Sequence, residues 1–171
     1  AGTAYGNEVS FKTLLAIGDT YQGGRITYFF QPGDPGYVAG ETHGLIVSPF
    51  DNSSDITWGS NIFVSAFGLS IGEGPAATRK IVDALGAGYY AAYVCDTLTL
   101  NGYTDWYLPS RDEMRCLYNN RYAIGGVDGG AFWTSLESNA NFAYITYFGS
   151  YITEMTSTKS NTRRVRAFRT F

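Results

Sequence analysis

The chain has 171 residues, enough for one domain with a buried core. Its hydrophobic fraction of 44% and low charged fraction of 16% exclude disorder, because apolar surface is ample to offset chain entropy. A net charge of −3 excludes bulk attraction to nucleic acid or anionic lipid, the 2 cysteines exclude a small secreted disulfide scaffold and a four-cysteine zinc site, and no apolar run reaches the ~18 residues of a membrane span.

Glycine (21) and tyrosine (14) are unusually frequent. Tyrosine mixed with Gly, Ser and Asn is the composition of binding loops, and equally that of a loop-rich β domain. Residues 1–10 are small and polar, with no basic or apolar leader pattern. Residues 1–17 are expected to be an arm or linker from a longer parent, and residues 18–171 the domain.

In chain order, Arg25 to Phe30 is β-branched and aromatic and follows Gly23-Gly24, so it reads as a strand. Two turn signals follow between Gln31 and Gly36. His43 to Pro49 reads as a short buried strand, and the region 50–72 as a long ordered loop with weak strand character at Ile56 to Trp58. Pro75 suits the first turn of a helix that Gly86 ends, and a second helix is expected over Tyr89 to Leu98. Ser110-Arg111-Asp112-Glu113 is a capping box, so a helix starts there, with Met114, Leu117 and Tyr118 on its inner face. Glycines at 125, 126, 129 and 130 break the chain, and strands are expected at 131–135, 142–148 and 163–170. Strands, then helices, then strands point to an α+β domain.

Candidate chemistry is sparse. His43 is the one histidine and reads more readily as structural than catalytic. Gly68-Leu69-Ser70-Ile71-Gly72 matches a hydrolase elbow, but no histidine follows Ser70, so it reads as a turn. Cys95 and Cys116 fall on inner helix faces and read as buried thiols, ahead of a disulfide and of a redox pair. Lys159, Arg163, Arg164, Arg166 and Arg169 crowd the end of the chain without an acid; a nucleic-acid patch is one reading, and the favoured one is an alternating terminal strand with Val165 and Ala167 inward and Arg164 and Arg166 facing out or paired with distant acids. The stretch Leu136 to Ser157 carries bulk at alternate positions on both faces of a strand, which means burial on both faces or a sticky exposed face.

Three motifs carry a resemblance: Asn101 to Glu113 (NGYTDWYLPSRDE), Phe132 to Glu137 (FWTSLE), and Lys159-Ser160-Asn161 with Arg164 to Arg169 (RVRAFR). With Gly23-Gly24 and Tyr37 to Leu45, they resemble the C-terminal domain family of collagen-like bacterial adhesins. Relatives of that family include variable proteins of diversity-generating retroelements and phage receptor-binding proteins. The resemblance implies an α+β, C-type lectin-like fold with two helices and twisted, mostly antiparallel sheets. Phe132 and Leu136 depart from the family's usual Tyr and small polar residue, and no calcium-binding lectin loop occurs. Formylglycine-generating relatives need active-site cysteines that Cys95 and Cys116 do not match.

The resemblance implies a non-catalytic ligand- or receptor-binding module, for adhesion or phage host recognition, on an extracellular surface or a virion tail fibre. Its partner would be a protein or glycan on a cell surface, with no nucleic acid, membrane insertion, cofactor or metal, and with a homotrimer as one assembly of the parent. The expected contact residues are Phe142, Tyr144, Ile145, Tyr147, Ser150, Tyr151, Thr153 and Met155, with Asn139 and Asn141 at the rim. Trp106 and Trp133 would be core posts. In the retroelement relatives the diversified stretch corresponds to Leu136 to Ser157, and every residue from Ser138 to Thr153 is reachable from an adenine-containing Asn codon. The alternatives are a hydrolase or oxidase-type enzyme of the same broad fold using Ser70, His43 or the cysteines, and a structural, trimerising fibre module.

Overall fold

The computed structural model describes residues 14–127 and 129–171. Most of the expected arm, residues 1–13, lies outside the described residues. The strands are β1 (Thr20–Tyr21), β2 (Gly24–Phe29), β3 (Gly44–Val47), β4 (Ser53–Thr57), β5 (Gly130–Glu137), β6 (Phe142–Phe148), β7 (Ile152–Thr158), β8 (Thr162–Val165) and β9 (Phe168–Thr170). Between β4 and β5 come the helices α1 (Gly74–Leu85), α2 (Ala91–Asp96) and α3 (Arg111–Ile124).

The strands form two sheets, one ordered β1-β2-β3-β9 and one ordered β4-β8-β5-β6-β7. Every pairing is antiparallel except β5 with β8. This corrects the expected α+β, C-type lectin-like fold of two helices: the architecture is a mostly β sandwich of two sheets with a few short helices. The physical reason lies in the punctuation. Gly86 and Gly125 end α1 and α3, each at φ 69°, and α2 shrinks to Ala91–Asp96. Meanwhile β-branched and aromatic runs at both ends of the chain pair into sheets.

The strand expected at 163–170 is two strands. Arg166 and Ala167 carry the chain from one sheet to the other, so β8 pairs with β4 and β5 while β9 pairs with β3. Strand β7 was not anticipated; its Thr-rich, half-polar sequence gives little apolar signal.

Two apolar clusters fill the interior. One gathers Trp58, Ile81, Trp106, Trp133 and Ile145, and the other Met114, Leu117, Phe132, Phe148 and Phe168. Neighbouring residues Phe132 and Trp133 enter different clusters, so β5 is buried on both faces. The Trp58 indole N–H donates to the Thr134 carbonyl at 2.8 Å and the Trp133 indole to the Ile56 carbonyl at 2.9 Å. Large buried rings whose N–H groups are satisfied are worth roughly 1.5–3 kcal/mol each from burial.

The terminal cations turn inward more than expected. Arg166 and Lys159 are fully buried, and Arg169 nearly so. The Arg169 guanidinium donates two bonds to the Asp105 carboxylate, at 2.8 and 2.9 Å, and lies 4.1 Å from the Tyr103 ring centre. That pairing holds the Asp105 carboxyl below its usual range. Arg164 pairs with Asp51.

The capping box forms as read: Ser110 Oγ accepts from the Glu113 amide at 3.2 Å, and the Glu113 carboxylate accepts from the Ser110 amide at 2.7 Å. The same carboxylate accepts from the Gly72 amide at 2.9 Å and the Tyr107 hydroxyl at 3.3 Å. Burial pushes the Glu113 carboxyl up to about 7, against the lowering effect of those donors. Gly74 makes the site possible. A Cβ there would lie 2.5 Å from Glu113 Oε2 and 2.5 Å from the Tyr107 ring.

Candidate functional site: the β6–β7 hairpin

Strands β6 and β7 pair without a register shift from Phe142↔Thr158 to Phe148↔Ile152. Opposite residues share a face, so one face holds the pairs Phe142/Thr158, Tyr144/Thr156, Thr146/Glu154 and Phe148/Ile152. The other holds Ala143/Ser157, Ile145/Met155 and Tyr147/Thr153.

Each face is half covered. On the first, helix α3 lies over the Phe148 end: Tyr118 packs edge-on against Phe148 with ring centres 5.2 Å apart, and Arg115 reaches the Glu154 carboxylate at 2.8 Å. The Phe142 and Tyr144 end stays open. On the second, Ala143 and Ile145 enter the cluster of Trp133, while Tyr147, Thr153 and Met155 stay open.

The expected contact residues therefore fall into two patches on opposite sides of the hairpin. Phe142 and Tyr144 open on one side, and Tyr147, Thr153 and Met155 on the other. Ser150 and the 83% exposed Tyr151 stand at the tip. Ile145 is a correction: at 3% exposure it is core, because the adjacent strand places Trp133 beside it. Asn141 is exposed. Asn139 is exposed too, but its Oδ1 is occupied, accepting from the Asn141 and Phe142 amides at 2.9 and 3.1 Å. It shapes the β5–β6 turn.

Further exposed apolar residues, not expected from the sequence, lie on the loop from Ile62 to Leu69. Ile62, Phe63, Phe67 and Leu69 are all exposed, and the Phe63 and Phe67 rings meet edge-on at 6.4 Å. Phe67 bridges to Leu136 of β5. Leu136 is itself buried, and the β5–β6 register shifts between Trp133 and Glu137, so the bridge lays Phe67 along the irregular part of β5.

A buried ion pair holds this loop. Lys159 Nζ lies 2.5 Å from Glu137 Oε1, with both side chains fully buried. The Glu137 carboxylate also accepts from the Val64 amide at 3.0 Å and the Ala66 amide at 3.3 Å. Lys159 donates to the Ile62 carbonyl at 2.6 Å and sits 4.4 Å from the Trp58 ring centre. Main-chain groups of the loop point inward to these charges, Ala66 enters the core, and the Ile62, Phe63, Phe67 and Leu69 side chains are turned out. Ser65, at φ 58°, takes the left-handed backbone that this turn imposes. A Glu followed 22 residues later by a Lys carries no spacing signal, so the anchor was not legible.

The residues singled out for chemistry sit elsewhere. His43 lines a cavity of about 420 Å³ with Phe30, Pro35, Gly72 and Phe171. Both its ring nitrogens face acceptors, Nε2 the Glu41 carboxylate at 2.8 Å and Nδ1 the Phe171 carbonyl at 3.1 Å. The Glu41 bond, then the Phe171 bond, raise its pKa. Among the described residues no hydrogen bond joins His43 to Ser70; the Ser70 amide is bound to Glu73 at 2.8 Å. Cys95 and Cys116 are free and buried. Burial pushes the Cys116 thiol up to about 12 and that of Cys95 higher, which suppresses the thiolate. Among the described residues no group of three or more His, Cys, Asp or Glu is placed to hold a metal, and no helix is long and apolar enough to cross a membrane.

No protein-family model and no curated protein matches the sequence. Among solved structures, a fimbrial protein from Bacteroides ovatus ATCC 8483 has a similar fold, at 18% identity and a TM-score of 0.52. The match covers 74% of this chain and 35% of that one, so this chain spans about a third of the fimbrial protein's length. The likeness is one of fold, and it stands in place of the C-type lectin-like expectation.

Proposed function

We propose that the chain is a non-catalytic binding module of a surface or fibre protein, and that the β6–β7 hairpin contacts a receptor on a cell surface, in adhesion or host recognition. One observation carries the reading. Phe142 and Tyr147 on β6, Met155 on β7 and Tyr151 at the tip are held out in water by a hairpin whose Ala143, Ile145 and Phe148 side chains are locked into the core. Exposed aromatics on a rigid frame bind with little entropy to lose, and such patches mark interaction sites. The fold likeness to a fimbrial protein agrees with placement on a fibre or cell surface. On the same reading Ser138 to Thr153 is the diversified stretch, and the neighbouring DNA carries a reverse-transcriptase gene with an adenine-rich near-copy of the 132–171 coding segment.

The test is retention of the fluorescently labelled protein on a panel of intact bacterial cells, measured by flow cytometry. The variant carrying Tyr144→Ala, Tyr147→Ala and Tyr151→Ala is expected to lose retention while melting within a few degrees of the parent. Retention unchanged in that variant removes the proposal.

A further inference from the structure

The hairpin presents more than side chains, because β7 is an edge of the five-stranded sheet. The main-chain bond from the Lys159 amide to the Asn141 carbonyl, and that from Gly149 to Tyr151, set the parity of the ladder. Thr153, Met155 and Ser157 direct their amide and carbonyl groups to β6. Ile152, Glu154 and Thr156 direct theirs off the sheet. Among the described residues nothing bonds to that outward row.

Natural edges carry guards: short length, bulges, Pro, or outward Lys. The other three edges in this fold have them. Strand β1 has 2 residues, β9 has 3, and β4 pairs through a register shift. Strand β7 has 7 residues in unbroken register, and its sequence ITEMTST holds no Pro, Gly or Lys. Its one charge, Glu154, is turned onto the face of the sheet, towards Arg111 and Arg115.

We propose that β7 is a docking edge for an extended polypeptide segment of the receptor, which adds to the sheet as a sixth strand. This rests on the hairpin being the contact surface and selects a protein over a glycan. The split of the contact residues supports it. A ligand lying on one face meets Phe142 and Tyr144, or meets Tyr147, Thr153 and Met155, but not both sets. A strand added at the β7 edge extends both faces at once, next to Thr153, Met155 and Thr156 and one strand away from Phe142, Tyr144 and Tyr147. Main-chain bonds to Ile152, Glu154 and Thr156 supply affinity, and alternate side chains fall beside Thr156 on one face and Met155 on the other. The matching segment is neutral and rich in β-branched or aromatic residues.

The experiment is amide hydrogen exchange of the protein with a soluble extended peptide, Ac-KTYTVTYTK-amide, and a control with proline at alternate positions. The peptide is expected to slow exchange at Ile152, Glu154 and Thr156 by about tenfold or more, and the control to leave it unchanged. Thr156→Pro, which removes an outward N–H and no bond to β6, is expected to abolish the effect, and Thr156→Ala to keep it. Outward amides already slow in the protein alone, or unchanged by the peptide, overturn strand addition. If the tyrosine variant nevertheless loses cell retention, the hairpin reading stands and strand addition falls by itself; if that variant keeps retention, both fall.

Discussion

Lys159 Nζ meets Glu137 Oε1 at 2.5 Å in a site with no solvent exposure on either side chain. The pair does more than cancel two charges, since it also satisfies the main chain of the loop from Ile62 to Ala66. Removing one partner, as in Lys159→Met, leaves an uncompensated buried carboxylate and is expected to cost about 3–5 kcal/mol. Replacing both by apolar residues still leaves the Val64 and Ala66 amides and the Ile62 carbonyl unsatisfied. The double variant is therefore expected to remain less stable than the parent in urea titrations. A double variant as stable as the parent contradicts this role.

Glu113 makes stability depend on pH. Its carboxyl rises from an ordinary 4.5 to about 7 in the fold. Between those values the folded chain holds a proton that the unfolded chain has lost, so this group's contribution is full below 4.5 and fades as pH rises through 7. It amounts to at most about 3 kcal/mol. Denaturant midpoints at pH 5 and pH 8 are expected to show it, and Glu113→Gln to flatten that part of the profile.

Gly74→Ala is expected to destabilise by about 1–3 kcal/mol, because its methyl would strike both Glu113 and Tyr107. Calorimetry checks this. An unchanged melting temperature means that the Glu113 knot yields easily.

Within β6 and its tip, neighbours are expected to behave oppositely. Ile145→Ala opens a cavity beside Trp133 and costs about 2–5 kcal/mol. Tyr151→Ala, at a position 83% exposed, stays within about 0.5 kcal/mol of the parent. Urea titration of the two single variants separates core from contact surface.

The thiols give a further check. With Cys95 and Cys116 buried and their pKa values raised, both are expected to resist a thiol reagent at pH 8 until the protein is unfolded. Rapid labelling of the native protein contradicts the packing around α2 and α3.

Local signals were legible where chemistry is local. The Ser110–Glu113 cap, Pro75 opening α1 and the glycine stops are short-range and stand in the structure. The layout of the sheets was not legible, because it depends on long-range pairing: Arg166 and Ala167 look like mid-strand residues, yet they carry the chain between sheets. Alternation alone also misassigned Ile145. The β6 pattern has bulk on both faces, and only the positions of α3 and Trp133 decide which half of each face is covered. The apolar loop side chains were hidden for a similar reason, since nothing near Phe63 or Phe67 announces a buried ion pair contributed by Glu137 and Lys159.

The central claim is that receptors engage the hairpin. It is tested most directly by hydrogen exchange on the protein bound to envelope fragments of the cells that retain it. Protection is expected across residues 139–156, with the cavity beside His43 unchanged. Protection confined to residues around His43 and Phe171, with the hairpin exchanging as in the free protein, would contradict it.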